Sequence, residues 1–266
     1  MRRFLSRSER ATLSCMSPSR PTPTGRKFLT AEWRWLAMLN YAVEPILLEP
    51  LVPKSTLLDL HEGQAYVSMV GFMFQKTRLL SLPIPWHRDF EEVNLRFYVR
   101  REIEGEVRRG VCFIKELVPR WAIATVARAA YNEPYVALPM RHAIVEGSSR
   151  LPGGSSPSAQ YEWKHAGRWN GLSLRATGEA QPLVSGSHEE FITEHYWGYT
   201  AQRDGSSIEY RVEHPSWSVW QAETAELDCN VASLYGAQFA EPLSRPPDTA
   251  FLADGSAVAV YRPVRI

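Results

Sequence analysis

The sequence has no long apolar run, few cysteines and few lysines. No stretch approaches the ~20 consecutive apolar residues of a membrane-spanning helix, so no membrane span is expected. The three cysteines, Cys15, Cys112 and Cys229, are odd in number and form no CxxC pair. This usage argues against a zinc ribbon or a disulfide framework and is typical of a reducing compartment. We therefore expect a soluble, cytoplasmic protein.

Several catalytic signatures are also absent. The chain contains no G-x-x-x-x-G-K-[ST], no G-x-G-x-x-G, no G-x-S-x-G and no H-E-x-x-H. Glu194-His195 resembles part of a metal motif, but an H-x-x-E-H pattern would need histidine where Phe191 stands. Phosphate transfer, dinucleotide binding and zinc-hydrolase chemistry are therefore disfavoured. We expect no metal and no cofactor.

Charge is unevenly distributed along the chain. The net charge is +1, but residues 1–27 carry +6 and the remaining residues −5. The near-neutral total argues against nucleic-acid partners and against an anionic membrane surface. The basic, Ser/Pro-rich composition of segment 1–27 predicts a disordered tail. The same composition also resembles a transit peptide, and it would equally be found if the assigned start codon lay upstream of the true one. Residues 28–266 are predicted to form a single domain.

The rest of the chain is patterned mainly as strands. About ten strands and three helices are predicted, which favours a mainly β (α+β) fold, a curved antiparallel sheet closing into a barrel. Leu57–Leu60 and Ala65–Phe74 are predicted to pair as a hairpin, and Tyr161–His165 and Leu172–Ala176 to pair through a turn at Asn170-Gly171. The predicted helices begin at Pro45, at Pro119 and at the capping box of Ser187, the last running through Tyr199.

The most regular segment is Glu91–Arg101, which a turn connects to a returning strand, Val107–Leu117. Strict alternation places Asn94, Arg96 and Tyr98 on one face of the first strand. Alternation alone favours a polar face in solvent. An inward-facing Arg96 would instead need a carboxylate partner or an anionic ligand, and the carboxylates that the sequence offers are Glu92, Glu116 and Glu194.

The returning strand contains one of only five lysines. Lys115 has the same parity as Phe113 and Leu117, so we expect it among apolar neighbours, where a desolvated lysine can form an imine. The alternative is a strand-end lysine that reaches water. Three further side chains could close a pocket or simply lie in rigid turns and strand junctions: Tyr131, Tyr135 and His214.

Taken in order, a series of segments resembles the YqjF-like family of uncharacterised bacterial proteins, grouped with the acetoacetate decarboxylase-like superfamily. The segments are Glu32-Trp33-Arg34, Leu39-Asn40-Tyr41, Tyr66–Phe72, Phe90–Val99, Gly110–Lys115, Tyr131–Tyr135 with Met140, Glu194-His195-Tyr196 and His214-Pro215-x-Trp217. The resemblance implies a barrel-like sheet whose central cavity is faced by Asn94, Arg96 and Tyr98. Acetoacetate decarboxylases use a Schiff-base lysine next to a second lysine. This chain has no adjacent lysine pair, and its counterpart segment Asn132–Tyr135 has no lysine.

Three functional hypotheses follow. In the first, a polar-lined pocket binds a small anionic or carbonyl-bearing molecule through Arg96, Asn94 and Tyr98. In the second, a lyase or decarboxylase-like enzyme uses Lys115 as imine-forming nucleophile, with Glu116 or Glu194 carrying the proton. In the third, the domain is structural or binds a partner without catalysis. The sequence leaves open whether any reaction is catalysed and whether the chain forms a homo-oligomer.

Overall fold

A computed structural model describes residues 25–83, 88–119, 134–147 and 156–266. Within these ranges the fold is mainly β, with one extensive sheet of fifteen strands. The strands are β1 (Lys27–Val43), β2 (Leu57–Leu58), β3 (Ala65–Leu79), β4 (Leu82–Pro83), β5 (Phe90–Ile103), β6 (Glu106–Val118), β7 (Tyr135–Ala137), β8 (Met140–Val145), β9 (Ser158–His165), β10 (Arg168–Pro182), β11 (Trp197–Ala201), β12 (Ser207–Glu213), β13 (Ser218–Asp228), β14 (Thr249–Tyr261) and β15 (Val264–Arg265).

Helices are few and short in these ranges. They are α1 (His188–Thr193), α2 (Val231–Leu234) and the 3-10 turns Pro45–Leu47, Glu49–Leu51, Ala237–Phe239 and Pro242–Ser244. None of the helices that the structure describes is long and apolar enough to cross a membrane. The predicted helix from Pro119 lies outside the described residues.

The long strands are connected in a ring of pairings. Neighbouring strands follow the order β12-β11-β6-β5-β3-β1-β14, and β14 pairs back onto β12 through Val212↔Val260 and Glu213↔Ala259. All of these pairings are antiparallel except that of β11 with β6. The strands β13, β10, β9 and β8 extend the sheet from β14. The ring gives its strands two faces, one inside and one outside.

Strand β5 is covered on both faces. From Phe90 to Val99 every residue is buried. Leu95 and Val99 lie in the larger hydrophobic cluster, on the outer face, whereas Tyr98 lies in the second cluster. The strand and its return as β6 confirm the predicted pair, but the polar face is not solvated as alternation alone had favoured.

A β-bulge in β6 changes the predicted orientation of its side chains. Pairing with β5 runs through Leu95↔Lys115 and then shifts to Arg96↔Phe113. The extra residue breaks the alternation, because two residues of one strand face one of the other. Lys115 therefore does not share a face with Phe113 as predicted, but it still shares one with Leu117, since the two lie opposite the outer-face residues Leu95 and Val93.

Three further local predictions were wrong. Leu57-Leu58 pairs with β5, opposite Arg100 and Val99, where the pairing of β5 with β3 has already ended at Phe97. The hairpin of β9 and β10 turns at Ala166-Gly167, where both residues have positive φ, and Asn170 lies inside β10. The capped helix ends at Thr193, and the segment predicted to continue it forms β11 instead.

Candidate functional site

A cavity of about 210 Å³ lies within the ring of strands. Each of the seven ring strands contributes to its wall, together with α1 and the segment that follows it. Most of the wall is aromatic or aliphatic: Phe28, Leu29, Trp33, Leu36, Phe72, Phe74, Leu79, Phe90, Val111, Phe113, Ile192, Trp197, Val212, Trp217 and Val260. Such a wall excludes water and lowers the local dielectric constant, so the few polar groups in it interact strongly.

Three polar residues of β5 line this cavity. Glu92, Asn94 and Arg96 alternate with outward-facing residues, so the two-residue period of a strand places all three on the inner face. Arg96 is 9% exposed and Asn94 only 1%. The predicted inward orientation of Asn94 and Arg96 is therefore what the structure shows.

Arg96 is held by neutral groups. Its Nε donates to Tyr98 Oη at 3.4 Å and its Nη2 to the carbonyl of Ile192 at 3.4 Å, with the sulfur of Met38 at 4.0 Å. Among the residues that the structure describes, no carboxylate lies within 4 Å of the guanidinium. Among these residues the buried cation has long hydrogen bonds to neutral atoms and a ring contact, with its Cζ 5.7 Å from the centroid of Tyr98. A buried charge without a counter-ion is costly, by several kcal/mol in real proteins.

Carboxylates occupy another part of the wall. Glu92 accepts a hydrogen bond from Asn94 Nδ2 at 3.1 Å and one from Tyr135 Oη at 3.3 Å. Glu116 lies opposite Asn94 on β6 and is also buried. The bulge in β6 turns Glu116 inward, beside Asn94.

A buried histidine that the sequence analysis did not select also lines the cavity. His195 follows α1, and its Nε2 lies 3.4 Å from Asp59 Oδ2. Arg109 Nε donates to the same oxygen at 2.6 Å. The ring of His195 packs 4.7 Å from the ring of Tyr98 and 5.5 Å from that of Phe191, measured between centroids.

Both members of this pair have shifted pKa values. Burial lowers the pKa of His195 to about 4, and the positive charges of Arg109 and Arg96 add to this against the opposing effect of Asp59. Burial alone would raise the pKa of Asp59, but the nearby His195 and the charge and hydrogen bond of Arg109 outweigh it and lower the pKa to about 2. At neutral pH the imidazole is therefore neutral and the carboxylate ionised.

The sequence contained weak signals for both residues. Asp59 stands within the apolar run Leu57-Leu58-Asp59-Leu60, and a carboxylate in such a run needs a partner if it is buried. His195 belongs to a segment that carried the family resemblance. Neither signal indicates that the two side chains meet, because they are far apart in the chain.

The other predicted site residues are distributed inside and outside the cavity wall. Tyr135, Glu116 and His214 line it, and the His214 ring stacks on Trp217 at 4.4 Å between centroids. Tyr98 is not among the lining residues; its hydroxyl accepts from Arg96 and lies 2.5 Å from Ser68 Oγ. Tyr131 lies outside the described residues.

Lys115 and Glu194 are also absent from the wall. Lys115 Nζ donates to the carbonyl of Leu234, and burial lowers its pKa. Its backbone partner across the sheet is Leu95, on the outer face. Glu194 accepts hydrogen bonds from Tyr196 Oη and, at 3.0 Å, from Ser216 Oγ. The structure thus does not bring these two residues together with Arg96.

In the described ranges no group of three or more His, Cys, Asp or Glu side chains is arranged to hold a metal ion. The expectation that the protein needs no metal or cofactor remains a prediction.

Comparison with known proteins agrees with the fold and with the resemblance. Residues 30–257 match the DUF2071 family, described as "Uncharacterized conserved protein". The uncharacterized protein YqjF of Bacillus subtilis (strain 168) is 28% identical over 212 residues, which cover 79% of this chain and 82% of that protein.

Solved structures with the same fold are enzymes. Acetoacetate decarboxylase from Legionella pneumophila subsp. pneumophila str. Philadelphia 1 has a TM-score of 0.62 at 12% identity, over 96% of this chain and 98% of that one. The enduracididine biosynthesis enzyme MppR complexed with pyruvate has a TM-score of 0.62 at 11% identity, over 96% and 93%. An acetoacetate decarboxylase-like enzyme from Sphingomonas wittichii RW1 has a TM-score of 0.59 at 16% identity, over 94% and 99%. At these identities the likeness shows the fold alone. The chain belongs to the DUF2071 family, and its fold is similar to that of acetoacetate decarboxylase-like enzymes.

Proposed function

We propose that the cavity binds a small organic anion and that Arg96 holds its negative charge. The observation that carries this proposal is a buried guanidinium, in the wall of a cavity, without a carboxylate within 4 Å among the described residues. A guanidinium has a planar set of donors that suits a carboxylate in a bidentate arrangement. A bound anion would supply a counter-charge that none of the described residues places within 4 Å.

The surroundings of Arg96 support a small ligand. A volume of about 210 Å³ is below the ~300–1,000 Å³ typical of sites for drug-sized molecules. Asn94 is next to Arg96 on the same face and would hydrogen-bond the ligand, while Tyr98 would orient the guanidinium through Nε. Pyruvate, which MppR was solved with, is a small anion with a carbonyl group. The ring of seven strands would act as the barrel that encloses the ligand.

The alternative of an imine-forming Lys115 has less support. Its lowered pKa fits such chemistry, but the side chain lies outside the cavity wall and donates to a backbone carbonyl. Borohydride reduction in the presence of 2-oxo acids, followed by peptide mass mapping, tests it directly. An adduct at Lys115 would favour the enzymatic alternative over simple binding.

The domain organisation, the cellular location and the oligomeric state are also proposals. The span of the family match, 30–257, supports treating residues 28–266 as one domain. A cytoplasmic location and assembly into a homo-oligomer stay predictions, as does the third hypothesis of a structural domain whose cavity is merely packed.

Calorimetric titration with short-chain carboxylates tests the proposed function. We expect at least one acid to bind to the wild-type protein and Arg96→Gln to abolish the binding. Arg175→Gln is the matched control, because Arg175 is exposed on β10 and its loss changes the net charge equally. Failure of every small carboxylate to bind, or equal binding to both variants, would contradict the proposal.

A further inference from the structure

Two side chains near Arg96 have buried polar atoms without hydrogen-bond partners. Among the described residues, no partner is found for Asn94 Oδ1 or for either ring nitrogen of His195, and all three atoms are buried from solvent. Both residues line the cavity. A buried polar atom without a partner is uncommon in native proteins, so each of these atoms requires an explanation.

The hydrogen bond to Glu92 determines which end of the Asn94 amide has no hydrogen-bond partner among the described residues. Both oxygens of Glu92 accept hydrogen bonds, Oε1 from Asn94 Nδ2 at 3.1 Å and Oε2 from Tyr135 Oη at 3.3 Å, so the NH2 group is the end of the amide that contacts this carboxylate. Rotating the amide by 180° would place two oxygens against each other. Asn94 therefore presents an acceptor, Oδ1, beyond Glu92.

Asp59 favours one tautomer of His195 through its negative charge, although no hydrogen bond joins the two side chains. The carboxylate of Asp59 is ionised, with Arg109 bound to it at 2.6 Å, and it lies 3.4 Å from His195 Nε2. The proton of a neutral imidazole is then favoured on Nε2, which leaves the lone pair on Nδ1. The other charged or titratable groups near this ring are Arg96 and Tyr98. His195 thus also presents an acceptor.

Arg96 is close to both residues. Asn94 precedes it by two residues on the inner face of β5, and Tyr98, whose ring packs 4.7 Å from that of His195, follows it by two. The guanidinium also donates to the carbonyl of Ile192, three residues before His195, and its charge contributes to the lowered pKa of His195. A small anion bound to Arg96 would therefore lie near both residues.

We infer that the ligand is a carboxylate with a hydrogen-bond donor on the adjacent carbon, a 2-hydroxy or 2-amino acid rather than a 2-oxo acid. This inference rests on the proposed function and narrows it. A hydroxyl or ammonium group donates to Asn94 Oδ1 or His195 Nδ1 and satisfies a buried acceptor. The oxygen of a 2-oxo group has only lone pairs and would face another acceptor, which neither side chain can exchange for a donor without losing its carboxylate contact.

Four acids with the same carbon skeleton separate the possibilities: lactate, alanine, pyruvate and propionate. Calorimetry at pH 7 on the full chain, repeated with the four-carbon and five-carbon homologues, measures each dissociation constant. We expect lactate, alanine or their homologues to bind about tenfold or more tightly than the matching oxo and unsubstituted acids, the effect of about one hydrogen bond. Preference for lactate over alanine identifies a hydroxyl donor, and the reverse an ammonium donor; either supports the inference.

Two variants test which acceptors are responsible. Asn94→Leu and His195→Leu each remove one acceptor. In at least one of these variants, the dissociation constant of the 2-oxo acid divided by that of the matching 2-hydroxy or 2-amino acid should fall towards one. His165→Leu is the control, because this histidine is not part of the cavity wall. If one variant does not fold, the ratio can still be measured with the other. The ratio of the wild-type protein tests the inference without either variant.

Pyruvate binding as tightly as lactate and alanine, with Arg96 still required, would overturn the inference and leave the proposed function intact. Binding of none of the acids or their homologues would instead remove the proposed function, and the inference with it.

Discussion

Arg96 has no carboxylate within 4 Å among the described residues, which predicts that this side chain weakens the fold of the ligand-free protein. Arg96→Met replaces the guanidinium with an unbranched apolar side chain that fits irregular apolar space. The substitution removes long hydrogen bonds at 3.4 Å to Tyr98 and Ile192, and Tyr98 retains its contact with Ser68. It also removes the desolvation cost of a charge that is 9% exposed.

The second effect should exceed the first. Replacing a buried ion pair by apolar side chains of similar volume is often neutral or stabilising, by about 1–4 kcal/mol, and Arg96 has no ion-pair attraction to lose among the described residues. The carbonyl of Ile192 loses a donor, which costs about 1 kcal/mol. We therefore expect the free energy of unfolding to rise by about 1–2 kcal/mol, while anion binding is lost.

Urea unfolding of the wild type and two variants checks this magnitude. Arg109→Met is the matched comparison, because Arg109 pairs with buried Asp59 at 2.6 Å. Breaking that pair should lower the free energy of unfolding by about 3 kcal/mol. If Arg96→Met also lowered it by 1 kcal/mol or more, the reasoning would be refuted. The positive charge of Arg96 would then be stabilised by the cavity carboxylates Glu92 and Glu116, rather than by a bound anion.

Three further results are expected. The pKa of His195 is lowered to about 4, so its contribution to stability is complete above the unfolded-state pKa of about 6.5 and is lost as the pH falls towards 4. Urea unfolding should show that this residue lowers the free energy of unfolding by up to about 3 kcal/mol over that range. The variant His195→Asn should lack this pH dependence, while the similar contribution of His188 remains. Ser187→Ala should lower the free energy of unfolding by about 1 kcal/mol in the same assay, because the side chain accepts the first-turn N–H of α1, whereas Ser187→Thr should retain most of the stability. Gly71→Ala should cost about 1–3 kcal/mol, because a β-carbon there would lie 2.5 Å from the ring of Tyr161; a thermal melt like that of wild type would show that the ring moves aside.

The sequence alone predicted where strands lie in this protein more reliably than it predicted which strands pair with each other. The two-residue period of Glu91–Arg101 correctly predicted a strand with Asn94 and Arg96 on one face, because side-chain direction in a strand is a local property. The family resemblance, which came from several segments together, correctly indicated that this face is turned inward. Serine at the helix start correctly predicted the N-cap, since a cap needs only residues within one turn.

Only the tertiary structure decided what faces Arg96. The bulge in β6 turned Glu116 inward and Lys115 outward, and a single unpaired residue of this kind leaves no mark in an alternating pattern. Asp59 and His195 lie close together because Leu57-Leu58 pairs with β5 and the helix α1 ends at Thr193. Whether a polar side chain needs a ligand depends on which charges surround it, and those charges come from segments that are distant in the chain.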